Sequence, residues 1–164
     1  MTTPEAEAAI LTDLVRSGER LRRNLLASLD KLRPRLPMTS AVLAAQSPAE
    51  AEMVDAFILR FANLTVLVND HLLRAILIAE KEDLSRRSRR DALDLAEKLG
   101  ALDPSLDVNA VVKARNRIAH VYPDNSAKQA SAINEIVDAV PTLVAIFDGL
   151  ARFATDRGLV PPAS

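Results

Sequence analysis

Apolar residues recur along most of this chain at alternating steps of three and four, the spacing that lines one face of an α-helix. The first such seam, within roughly Pro4 to Leu32, is Leu11, Leu14, Gly18, Leu21, Leu25, Ser28 and Leu32. Gly18 and Ser28 are its small positions, which either admit a close neighbour or simply weaken the stripe. Pro34, Pro37 and Pro48 surround a short apolar stretch, Ala41 to Ala45, so residues 33–47 read as a proline-rich connector with room for one helical turn. Ser47, Pro48 and Glu50 then supply a cap, a first-turn proline and a capping-box acid. They start a second helix carrying Phe57, Phe61, Leu64, Val68, Leu72 and Ile76, which extends to about Glu82 and is predicted to be central to the core.

Downstream, the run Ser85 to Arg90 leads into Leu93, Leu95 and Leu99, and Gly100 is placed to stop a third helix. Asp103 with Pro104, or Asp107 a little later, can cap a fourth helix bearing Val108, Val111, Val112 and Ile118. Pro123 should end it and bias Tyr122 out of the helix, leaving His120 in the last turn. A long final helix over about Ser126 to Asp156 carries Ile133, Ile136, Val140, Val144, Phe147 and Leu150, with Pro141 as a predicted kink. The expected fold is all-α, an antiparallel bundle of four or five helices in one domain over 1–164, with a flexible tail at 157–164.

Composition narrows this further. The chain has 164 residues, 49% hydrophobic and only 3% aromatic, so its core must be built from the aliphatic side chains that helices pack well. Four glycines do not supply the turns of a sandwich or barrel. The absence of cysteine excludes disulfides, thiolate metal sites and cysteine nucleophiles. No set of His, Asp and Glu has metal spacing, and there is no phosphate-binding glycine loop, so neither a metal nor a bound nucleotide is expected for this chain alone. Glu5 and Glu7 open the chain where a signal peptide would be basic, and no apolar run approaches membrane-spanning length; cytoplasmic location is expected. A net charge of -1 means that any RNA contact must come from a local basic patch.

The concentrated polarity lies in Lys113-Ala114-Arg115-Asn116-Arg117-Ile118-Ala119-His120-Val121-Tyr122-Pro123. At about 100° per residue, Asn116 and His120 share a helical face, whereas Arg115 lies about 140° from His120. Arg115 and His120 converge only if the long arginine wraps around, the helix deforms, or a second copy related by two-fold symmetry completes the site, and the last arrangement is preferred.

Arg115, Asn116, four residues between Arg115 and His120, and then His120-Val121-Tyr122 resemble the HEPN domains, especially the HepT-like toxins of bacterial and archaeal toxin–antitoxin pairs. The motif covers about eight residues; the order of helices around it is similar over most of the chain. The resemblance implies a type VII-like system in which a homodimer cleaves RNA without metal. Arg115 and His120 would be catalytic, with Asn116 orienting His120 or the phosphate. It also implies a minimal nucleotidyltransferase as antitoxin, silencing the enzyme by adenylylation of Tyr122. The chemistry suits these residue types. Histidine as a class titrates near neutral pH and can take a proton from a 2'-hydroxyl, while arginine stays charged and grips phosphate through two donors.

Two other clusters stand out. Asp70, His71 and Arg74 interrupt the apolar second helix; Asp70 and Arg74 are possible auxiliaries of the site, although one turn apart they more commonly form a lateral salt bridge. Arg86, Arg87, Arg89 and Arg90 either guide RNA, meet an acidic partner, or form a solvated turn. The alternative to a nuclease is a non-catalytic HEPN-like module that binds a nucleotidyltransferase or another partner, with the 33–47 connector occluding a cleft or adding an interface.

Overall fold

The structure is a computed structural model and describes residues 3–121 and 124–162. Among these, every regular element is helical. The predicted segments are present: α1 (Pro4–Leu32), α3 (Pro48–Val66), continued by a π-helical stretch (Leu67–Leu72) and α4 (Leu73–Ala79), then α5 (Arg89–Leu99), α6 (Val108–Ala119) and α7 (Ser126–Asp156). The 33–47 connector is more ordered than one turn, holding a 3₁₀ turn (Arg33–Arg35) and the short α2 (Ser40–Ala44), which Thr39 caps.

The caps follow from side-chain chemistry. Ser47 and Glu50 form the reciprocal pair, the Glu50 amide donating to Ser47 Oγ at 3.2 Å and the Ser47 amide to Glu50 Oε2 at 2.7 Å. Ser88 and Asp91 repeat the device at α5, and Gly100 ends that helix with a left-handed φ of 81°. For α6 the cap is Asp107, not Asp103: the Ala110 amide donates to Asp107 Oδ1 at 2.9 Å.

The π stretch has a cause in the sequence. From Leu64 the seam runs Leu64, Val68, Leu72, Ile76, consecutive steps of four, and each such step drifts about 40° around a regular α-helix. All four residues are nevertheless fully buried, at 0 or 1% exposure. The wider π turn absorbs the drift, marked by the Leu73 amide donating to the Val68 carbonyl five residues back.

The chain packs as two compact units. The first comprises the start of α1 up to Arg20, Val66–Leu106, and everything from Val144 on. Leu11, Leu72, Ile76, Phe147 and Leu150 centre its core. Here Gly18 admits a close neighbour: a Cβ on it would lie 2.8 Å from Cζ of the Phe147 ring. At the end of the chain Arg157 pairs with Glu80 and Val160 is buried, so this part of the 157–164 tail is tied down.

The second unit comprises Leu21–Thr65 and Asp107–Leu143. Phe57, Phe61, Leu25, Ile133 and Ile136 form its centre. Ser28, the other small seam position, is buried and accepts a hydrogen bond from the Arg60 guanidinium. The connector is clamped to α7 through Asn134, whose Oδ1 accepts from the Met38 amide at 2.8 Å while its Nδ2 donates to the Met38 carbonyl at 2.9 Å.

Although the sequence has no uninterrupted apolar run of spanning length, α7 passes the test of length and composition, with a mean hydropathy of 1.5 over its most apolar window. Ala, Thr and Pro between its larger residues hide this from a search for runs. Half of that window is buried in the protein, and Ile133, Ile136, Val140 and Leu143 are core residues, so much of its apolarity is used in packing.

Candidate functional site

Three buried residues, Val108, Val111 and Ala114, hold α6 against the core of the second unit. This fixes where the polar tract points. Arg115, one position past Ala114, is half-buried on the flank of that stripe, a position from which a long side chain carries its guanidinium out to water. Asn116, Arg117 and His120 are exposed. His120 is the C-cap: its amide bonds to the Arg117 carbonyl at 3.1 Å, and the Val121 amide to that of Ile118 at 3.3 Å, a tightened last turn. The helix begins again after Asn125, whose side chain accepts from the Lys128 amide at 3.2 Å. Tyr122 lies outside the described residues.

The α-helix runs through Ala119, and five residues at about 100° each set Arg115 and His120 about 140° apart around the axis; no hydrogen bond joins the two side chains among the described residues. Asn116 and His120 do share a face. The guanidiniums of the tract differ sharply in their surroundings. Arg117 forms an ion pair with Glu135 and donates to Ser131 Oγ at 3.1 Å, both on α7. Arg115 has no ion pair or hydrogen bond with another described side chain.

Arg117 was not singled out by its sequence position, two residues beyond Arg115. The signal that marks it is on the partner helix, where Ser131 and Glu135 stand one turn apart, and such pairing across a distance is invisible to helical spacing. Arg117, Ser131, Glu135 and Asp138 line an open concavity of about 530 Å³ whose far wall is Met38, Thr39 and Ser40 of the connector. Its two carboxylates set it apart from a phosphate site.

Asp70 and Arg74 belong to the first unit, and each is described there. Both are exposed, and the lateral salt bridge expected between them is not formed among the described contacts. The π stretch changes the angular spacing on which the one-turn pairing depends. No group of three His, Asp or Glu side chains converges as a metal site among the described residues.

The residues thus define an all-helical protein with a cationic helix end bearing an exposed imidazole. Comparison with known protein families, curated proteins and solved structures gives no match.

Proposed function

We propose that this chain is an all-helical, metal-independent endoribonuclease of the HEPN class, with a HEPN-like bundle for its fold. Within that class it is a HepT-like toxin of a type VII-like HEPN/MNT pair, acting in the cytoplasm as a homodimer. The observation that carries this is the contrast at the end of α6: Arg117 is paired with Glu135, while Arg115 has no carboxylate partner among the described residues and lies five residues before an exposed His120.

His120 takes the proton of the 2'-hydroxyl, whose oxygen attacks the adjacent phosphorus. The bond to the 5'-oxygen breaks, and that oxygen leaves with a proton supplied by an imidazolium or water. Arg115 stabilises the charge on the non-bridging oxygens, and Asn116 orients His120 or the phosphate. The products are a 2',3'-cyclic phosphate and a 5'-hydroxyl. A nucleotidyltransferase antitoxin silences the enzyme when the Tyr122 phenol attacks the α-phosphorus of ATP and pyrophosphate leaves. The phosphodiester so formed competes for Arg115.

Purified protein should cleave RNA with EDTA present and leave DNA intact. Arg115→Ala should lower the rate by ~10²–10³ and His120→Ala by ~10²–10⁴. Equal cleavage by wild type and both variants would remove the proposal. Incubation with the cognate nucleotidyltransferase and ATP should add one AMP to the Tyr122 peptide.

One observation favours the non-catalytic module instead. The connector, clamped through Met38 and Asn134, borders the concavity beside Arg117 and gives a preformed polar surface for a partner. Wild-type protein that leaves RNA intact yet binds a nucleotidyltransferase, with binding lost in Asn134→Ala, would decide for it.

A further inference from the structure

In the first unit a hollow of about 240 Å³ opens between the π stretch and the start of α5. Its floor is apolar, with Leu73 and Leu84 buried and Ala92 partly so. Its rim carries Arg74, Arg87 and Arg89 against one acid, Asp70. Among the lining residues three arginines outnumber one acid, and the surplus rests on Arg74 and Arg89 because Arg87 has carboxylates close by.

The arginines are not equivalent. Arg87 is held in place, its Nε donating to the Asp83 carbonyl at 2.9 Å, and its charge is offset by Glu82 at 3.9 Å and by the carboxylates of Asp83 and Asp91. Arg74 and Arg89 have no described carboxylate partner. The amides of Ser88 and Asp91 at the start of α5 are already used in the capping box, so an anion here would be held by guanidiniums. The π stretch that carries Asn69 and Asp70 is a geometry found frequently at functional sites, because its wider turn projects side chains a regular helix would not.

We propose that this hollow anchors the phosphate of a nucleotide, either free or within an RNA strand. A guanidinium fork pairs with phosphate and carboxylate alike, but several arginines around one hollow suit the three acceptor oxygens of a phosphate better than the two of a carboxylate. The volume is below the ~300–1,000 Å³ of pockets for drug-sized ligands, which suits one phosphate with its sugar over an apolar floor. Asp70 sets a limit on affinity, because its charge opposes the ligand. The site does not depend on Arg115 or His120 and stands whether or not the chain is a nuclease.

The test uses the full-length chain carrying His120→Ala, so that RNA survives the measurement. Amide shifts are followed by NMR during titration with AMP and, separately, with a single-stranded oligoribonucleotide. Saturable shifts at residues 69–74 and 84–92 are expected. If both probes produce them, the phosphate alone suffices; if only the strand does, the source is RNA. Arg74→Ala with Arg89→Ala should weaken binding at least ~10-fold and, for the strand, flatten the log–log salt slope by about 1.4. Asp70→Asn should tighten binding several-fold, an opposite sign that loss of structure would not produce. Absence of shifts in both segments with both probes, or unchanged binding in the double variant, overturns the proposal.

Discussion

At Gly18 the sequence left two options, and the ring of Phe147 decides between them. The glycine is needed because any β-carbon would overlap that ring. Gly18→Ala is therefore expected to destabilise the fold by ~1–3 kcal/mol through overpacking, measured by urea denaturation. Combined with Phe147→Leu, it should cost less than the two single changes summed, because the smaller side chain yields the space. Additive costs would separate the two residues. A second residue-level contrast concerns the tract on α6. Arg117 and Glu135 are about 44% and 34% exposed, so their ion pair is worth at most ~1 kcal/mol. Arg117→Ala should leave RNA cleavage within a few-fold of wild type, in contrast to Arg115→Ala. A collapse of cleavage in Arg117→Ala would move the catalytic cation to the wrong residue. The eight-residue motif was legible as chemistry, but which of its arginines is already neutralised was not, because Glu135 lies 18 positions further along the chain.

Elements were more legible than contacts. The helix start at Ser47 was visible because a cap is a local bond between a short polar side chain and the first turn, whereas the same device at Ser88 was hidden within the arginine run. The ambiguity between Asp103 and Asp107 arose because both make such bonds: Asp103 Oδ1 accepts from the Ser105 amide at 2.9 Å in a tight turn, and only Asp107 leads into a helix. Asp107→Ala should accordingly cost ~0.5–2 kcal/mol, read from denaturation, whereas Asp103→Ala leaves α6 intact. The start of α5 should be acid-sensitive. The Ser88 hydroxyl, and after it the Ser88 amide, hold the Asp91 carboxyl below its ordinary value of 3.8. A depressed carboxyl contributes stability that is fully present above the unfolded value and lost as pH falls through the folded one. Protection of the amides in the first turn of α5, relative to their intrinsic exchange rates, should therefore fall below about pH 4, and Asp91→Asn should flatten that dependence. An Asp91 carboxyl titrating like a free aspartate would contradict this.

For the whole molecule, the proposed nuclease is a homodimer, an arrangement in which Arg115 of one copy meets His120 of the other although α6 sets them on different azimuths. Mixing Arg115→Ala with His120→Ala protein should then restore activity that neither has alone. Random reassociation puts half of the dimers in mixed form with one of two composite sites intact, so about a quarter of wild-type activity is expected. No recovery after subunit exchange would place the site within a single protomer. Composition spoke clearly of an aliphatic helical protein, yet it said nothing of α7, whose hydropathy would suit a bilayer had its leucines and isoleucines not been claimed by the core. The irregular winding at 67–72 carries a last implication. Regular α winding across all of it would carry Ile76 about 120° from the azimuth of Leu64 and out of the interior, whereas deleting one residue would restore a plain α ladder with Ile76 and Leu77 still facing inward. Local order and collective burial disagree at this point, and burial prevails.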